Sequence, residues 1–216
     1  LARKPAELSV SREDILLAAA DVLQKHGYEA TTMKDIAAAV DLTAASLYHH
    51  FRNKDELLLG VLEAGLETLL ERLEPILRAD VPPEDKLRRM IHEHVVGVAG
   101  NTSVGAAMVF EIRSLMNAAD RAANGPGKLN PAERAAFLAR RDAFFARRDV
   151  FEDSFRQVIR QGIAAGVFRP VDVPIFVNTV LGAHNWVGVW YRPGGRLSGE
   201  AIATQMAETF LRALMV

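Results

Sequence analysis

The sequence predicts an all-α fold, and three observations carry that prediction. Apolar residues recur at helical spacing along most of the chain, as in Ile15, Ala19, Val22 and Leu23, or Leu58, Leu62, Leu66, Leu69, Leu73 and Leu77. Helix-opening pairs three residues apart stand in front of such runs: Ser11 with Asp14, Thr32 with Asp35, Asn53 with Glu56. No stretch alternates apolar and polar residues with period two over a useful length, so no strands are expected. About nine helices follow.

The first helix starts behind the Ser11 box and runs to Gly27, where a left-handed residue suits its end. Thr32 opens a short second helix through Met33, Ile36 and Ala37. Val40, Asp41 and Leu42 form a tight turn, with Asp41 accepting left-handed backbone better than most residues other than glycine. Thr43 caps a third helix of about two turns. Asn53 opens a long fourth one, loosened at its far end by Pro75. Beyond Pro82-Pro83, helices are expected near 84–99, 105–119, 131–165, 172–191 and 198–214. The break at 120–130, with Gly125, Pro126 and Gly127, is the place for disorder. Two units are expected, 1–56 and 57–216.

Composition excludes several function classes. Half of the 216 residues are hydrophobic and the formal net charge is −1, which permits an ample core. Cysteine is absent, excluding a thiol nucleophile, a thiolate zinc site and a disulfide framework, and the composition fits a reducing cytoplasm. No apolar run approaches the ~18 residues of a membrane span, so a soluble, cytoplasmic chain with no membrane partner is expected. The sequence opens on Leu1 rather than Met, so a few upstream residues are expected.

Two short helices joined by about four residues, the second with a hydroxyl cap, make a helix-turn-helix. The run TTMKDIAAAVDLTAASLYHHFRNKDELL resembles the DNA-binding signature of TetR-type transcriptional repressors, and the remaining chain is similar to that family in length and helix order. Departures are Asp41, where the family usually has glycine, and Ala45, where glycine or a small residue is usual. The resemblance implies a ligand-responsive homodimeric repressor on a palindromic double-stranded DNA operator. It further implies that Thr43, Tyr48, His49 and Lys54 bond phosphates, and that Ala44 and Ala45 lie against base edges, where a methyl can meet thymine. Lys34, at the start of the second helix, and Arg52 flank the same surface. Up to Glu56 the chain has seven basic and nine acidic residues, so 7 − 9 = −2, and bulk charge does not announce DNA. Leu47 and Phe51 must face the core; His50, three residues from Leu47, is expected to lean inward as a structural hydrogen-bonding residue while His49 points out.

Other chemistries lack their supporting residues, and no enzyme, cofactor or metal site is expected. Ser46 and His49 have no orienting acid. Asn124-Gly125-Pro126-Gly127-Lys128 fails the phosphate-loop pattern. His92 and His94 splay around a helix, and His94 shares a face with Val98, so a core or pocket histidine is expected rather than a metal ligand. A helical enzyme or metal protein using His92, His94 and His184 would leave the helix-turn-helix unexplained.

The second unit carries a seven-residue repeat, ARRDAFF then ARRDVFE, that aligns Phe137, Phe144, Phe151 and Val158, joined by Phe155. Met108 and Ile112 begin a second apolar face, and a ligand pocket is expected from Met108, Ile112, Phe144, Phe151, Phe155 and Trp186. The stretch LGAHNWVGVWYRPGGRLSGEAI resembles TetR-type repressors of fatty-acid and sterol breakdown that release DNA on binding acyl-CoA thioesters. The implied small-molecule inducer is then an acyl-CoA, its phosphates taken by a rim of Arg113, Arg140, Arg141, Arg147 and Arg148; alternatively those arginines are ion-paired surface beside Asp142 and Asp149. A drug-responsive regulator of an efflux pump is the other reading, and Glu111 is the one acid placed to face a cationic ligand. Val177, Val180, Leu181, His184 and Val187, with Phe210 on the last helix, are expected at the dimer interface, where the resemblance implies a four-helix bundle.

Overall fold

The structure is a computed structural model and describes residues 10–125 and 128–216. Among them the order is α1 (Arg12–Ala30), α2 (Met33–Ala39), α3 (Ala44–His50), α4 (Lys54–Arg78), α5 (Pro83–Gly100), α6 (Thr102–Phe110), α7 (Ile112–Met116), α8 (Ala118–Asn124), α9 (Pro131–Ala164), α10 (Val173–Trp190) and α11 (Gly199–Leu214). The fold is all-α; the only extended pairing among the described residues is one bridge between Phe168 and Met215.

The helix starts follow from local chemistry. Ser11–Asp14 and Thr32–Asp35 form reciprocal capping boxes, while the Thr43 and Asn53 side chains accept from the Ser46 and Glu56 N–H groups. Gly27 takes φ 73°, kinking α1 without ending it, and Asp41 takes φ 54°, the left-handed turn between α2 and α3. Pro75 does not stop α4, which continues to Arg78 and closes with Ala79 N–H on the Pro75 carbonyl at 3.1 Å. The helix expected over 105–119 is three helices, broken at Glu111 and Asn117, which raises the count from about nine to eleven. Asp120–Asn124 is helical rather than a break; Pro126 and Gly127, where disorder was expected, lie outside the described residues.

Helix α5 is the hub and packs on α4, α6, α9, α10 and α11, while α1 packs on α2, α4 and α6. The core runs continuously from Ile15, Leu47 and Phe51 through Leu58 and Leu62 to Met90, Ile91, Phe144 and Phe155. Helix α10 reaches α6 closely at Gly188, where an added Cβ would stand 3.0 Å from the Gly105 carbonyl carbon.

Between α5 and α10 lie two buried histidines. His94 and His184 face each other with Nδ1 atoms 3.2 Å apart, ringed by Phe151, Phe155 and Phe210. One neutral ring can donate to the other, but a proton on both would oppose two N–H groups in an apolar shell. Burial lowers the His94 pKa from 6.5 to about 4, and burial followed by His94 lowers that of His184 well below its ordinary value. Below 6.5 the unfolded chain therefore takes up protons that the folded pair refuses, and stability rises with pH between about 4 and 6.5. Urea titrations should show the unfolding free energy falling as pH drops through that window, and the His94→Leu/His184→Leu double variant should flatten this limb; an unchanged limb in the double variant would remove the assignment.

Candidate nucleic-acid interface and cavity

Helix α3 is anchored from beneath. Leu47 and Phe51 are buried, and Phe51 adopts extended backbone directly after the last turn. The opposite side shows Thr43, Ala45, Tyr48 and His49 to solvent, with Ala44 half-buried beside them and Lys34 exposed on α2. Tyr48 is 51% exposed, unusual for a ring that has core within reach. His50 is also exposed, which corrects the inward placement expected for it. The reason is geometric: three residues put it roughly 60° to one side of Leu47, and the helix ends there, so no scaffold covers that flank.

Lys54 is turned away from the exposed face. Its Nζ donates to the Tyr28 carbonyl at 2.5 Å and the Thr31 carbonyl at 2.7 Å, and sits 4.0 Å over the Tyr28 ring. Burial lowers its pKa. Its ammonium thus closes the α1–α2 corner onto α4. Arg52 is exposed and ion-paired to Glu133 at 3.4 Å.

A buried polar cluster joins this module to the rest. Asp55 accepts from Tyr28 Oη at 2.7 Å and from Arg121 Nη2 at 2.5 Å, and Arg121 also donates to the Ser114 carbonyl at 2.5 Å. Glu111 accepts from the Tyr28 N–H at 3.0 Å and from Ser114 Oγ at 3.3 Å. Sequence reading missed the pairings of Tyr28 with Asp55 and Glu111, because those partners lie 27 and 83 residues away.

The expected ligand pocket is rearranged. Phe144, Phe151 and Phe155 are packed solid, Trp186 is 49% exposed, and neither they nor Ile112 border the cavity described next. That cavity, about 190 Å³, lies between α1, α4, α5, α6 and α10, with Met108 the one expected residue on its wall. Four of the five rim arginines are ion-paired: Arg140 with Glu63, Arg141 with Asp142, Arg147 with Glu67 and Arg148 with Glu152. The expected dimer residues Val177, Val180, Leu181, His184 and Val187 are buried within their own protomer, so they cannot meet a partner. Helical period identifies a buried face but not what buries it, and here α5, α6 and α9 do so. Phe210 is half-buried and lines an open groove with Trp190 and Met206.

A capped turn, a short helix pinned by two apolar anchors, and an outward set of hydroxyl, methyl, phenol and imidazole groups define a helix-turn-helix DNA-binding regulator. Residues 15–61 match the model for bacterial regulatory proteins, tetR family, and residues 129–214 match the tetracyclin repressor-like C-terminal domain. The chain is 32% identical to the solved TetR family transcriptional regulator PfmR from Thermus thermophilus, covering 92% of this chain and 97% of that one, TM-score 0.73. It is 28% identical over 203 residues to the HTH-type transcriptional repressor KstR2 of Mycolicibacterium smegmatis, covering 93% of this chain and 89% of the relative. A structure of AibR in complex with isovaleryl coenzyme A and operator DNA is similar at 25% identity and TM-score 0.70, over 94% of this chain and 97% of AibR. The chain belongs to the TetR family of transcriptional regulators. No helix among its described residues is long and apolar enough to cross a membrane.

Because Lys54 closes two backbone carbonyls, Lys54→Met should lower the unfolding free energy by roughly 2 kcal/mol, the scale of lost charge-assisted hydrogen bonds. Chemical denaturation measures this, and wild-type stability in the variant would return Lys54 to a purely surface role.

Proposed function

We propose that this protein is a ligand-responsive repressor acting as a homodimer on a palindromic operator, with residues 1–56 reading DNA and 57–216 dimerising and sensing an inducer. The observation that carries the reading is the outward set Thr43, Ala44, Ala45, Tyr48 and His49 on a rigidly anchored α3, with Lys34 beside it. Hydroxyl, phenol and imidazole groups bond phosphate oxygens, and the two alanine methyls meet base edges. Lys54 contributes by holding the α1–α2 corner. A surface this short specifies few bases, so two copies on two half-sites are required.

The face that supports dimerisation is the outer stripe of α10: Ile175, Thr179, Gly182, Trp186 and Trp190 follow one another at helical spacing toward solvent. Phe110 extends it, its ring 6.0 Å from that of Trp186. Two tryptophans near half exposure on one helix are a large apolar area to leave in water. A second copy, packing α10 and α11 against their counterparts, covers it.

An acyl-CoA thioester is the inducer class that the relatives support, through the isovaleryl coenzyme A complex of AibR. The efflux-type reading is weakened, since the Glu111 carboxylate is engaged by Tyr28 and Ser114. Induction requires that the inducer bind the DNA-free conformation more tightly than the DNA-bound one.

On an operator selected from random duplexes, Tyr48→Ala and His49→Ala should each weaken binding about tenfold, near the ~1.4 kcal/mol expected of a bond to phosphate. Lys34→Ala should reduce the salt slope of log Kd by about 1. Unchanged anisotropy curves in all three variants would sink the docking model. Trp186→Arg should convert the dimer to a monomer in sedimentation velocity with helix content retained; an intact dimer would place the interface elsewhere. Titrating acyl-CoAs of graded chain length should change Trp186 and Trp190 emission saturably, and a flat response across the series would remove that inducer class.

A further inference from the structure

Helix α1 is packed along its whole length, with Arg12 at its start 4.8 Å over the Phe51 ring and Ile15 and Ala19 in the core, but its hydrogen bonds to α6 and Glu111 are confined to one half. Along its second half, Ser103 of α6 bonds Asp21 and lies 3.0 Å from Gln24 Oε1, and the Tyr28 N–H is held by Glu111. Along its first half, Leu16 and Leu17 form one wall of the 190 Å³ cavity, opposite Val61 and Gly65 of α4 and Val104 and Met108 of α6. A helix of the DNA-binding module is thus itself part of a cavity wall, and its hydrogen bonds to α6 and Glu111 lie a turn or more further along.

The chemistry of the wall selects the occupant. The Thr68 hydroxyl donates to the Ala64 carbonyl, and the Asn101 side-chain oxygen accepts from the Val104 N–H. Asn185 faces His94. Glu13, an exposed carboxylate, is the one charged group on a wall that is otherwise mostly apolar, with Thr68, Asn101 and Asn185 as its neutral polar members. The size is also restrictive: a cavity of ~150 Å³ holds one benzene, and drug-sized pockets run from ~300 Å³ upward. The phosphates of a coenzyme A would meet Glu13 here rather than an arginine, so this cavity is distinct from a site for the acyl-CoA inducer.

We propose that this cavity is an effector site for a compact apolar molecule, of about one ring, bearing at most one cationic or hydroxyl group directed at Glu13. Its occupant wedges the first half of α1 away from α4 and α6, while Ser103 and Glu111 hold the second half as a pivot. Because α1 packs directly on α2 and α4, the tilt is delivered to the helix-turn-helix without passing through the dimer interface. The effect on DNA rests on the regulator reading above; occupancy of the cavity does not.

The test uses the full chain and two probes, 4-fluorophenethylamine and 4-fluorotoluene, followed by ¹⁹F NMR. Both should bind saturably, one per chain. Ala64→Phe, which fills the cavity, should abolish binding of both; Leu17→Trp, at its partly exposed rim, should do the same and serves if the first variant loses its circular dichroism. Glu13→Gln should weaken the amine at least threefold and leave fluorotoluene unchanged. Hydrogen exchange with the amine bound should change at the amides of residues 31–42. Binding that survives Ala64→Phe or Leu17→Trp in folded protein, absence of saturable binding, or unaltered exchange at 31–42 would overturn the proposal. Each of these outcomes leaves operator binding through Tyr48 and His49 standing, and loss of operator binding in those variants leaves the cavity result standing.

Discussion

The Asp55 carboxylate is the interaction on which the arrangement depends. It is 6% exposed at the first turn of α4 and is paired there with Arg121. Left alone there it would be costly by several kcal/mol, and removal of one partner from such a buried pair typically costs about 3–5 kcal/mol. Its partners come from two other parts of the chain, the Tyr28 hydroxyl from α1 and the Arg121 guanidinium from α8. Burial, then Asp55, push the Tyr28 pKa far upward, so the phenol remains a donor at every ordinary pH. The Tyr28 ring meanwhile lies between two cations, Lys54 at 4.0 Å and Arg121 at 4.8 Å. These contacts tie α1, the start of α4 and α8 together where the helix-turn-helix meets the remaining helices.

What could be read from the sequence was what is decided locally. The boxes at Ser11 and Thr32, the caps at Thr43 and Asn53 and the left-handed Asp41 depend on residues within about four positions of each other, and all are present. The inward side of α3 at Leu47 and Phe51 is equally local. Errors arose where periodicity was asked to name a partner. The stripe Val177–Val187 is a true buried face, but its own protomer buries it, and the outward stripe of the same helix carries the tryptophans. His50 failed for a related reason: the wheel argument assumes that the helix and its scaffold continue, and both end there. The breaks at Glu111 and Asn117 had no proline or glycine to announce them. They are held by contacts such as Tyr28 N–H to Glu111, eighty-three residues apart, which no local pattern encodes.

The placement of the cavity follows from the same distinction. Large aromatic residues at a regular spacing were expected to line a pocket, yet Phe137, Phe144, Phe151 and Phe155 are buried in the core, Phe151 and Phe155 with ring centroids 5.5 Å apart. The cavity lies away from them, and its wall includes Ala64 and Gly65 of α4, Gly97 of α5 and Gly105 of α6. The glycines let neighbouring side chains come close: an added Cβ would clash with Val104 at Gly65, and would stand 3.0 Å from Leu69 at Gly97 and 2.9 Å from Val98 at Gly105. Those positions stand in plain stretches of sequence, because a missing side chain produces no periodic signal. Where two glycines can approach fully, as Gly105 and Gly188 do, the gap closes by backbone contact. The first half of α1 closes the cavity through Leu16 and Leu17, and the hydrogen bonds of the same helix to Ser103, Glu111 and Asp55 lie further along it, so the cavity and the polar cluster share one helix.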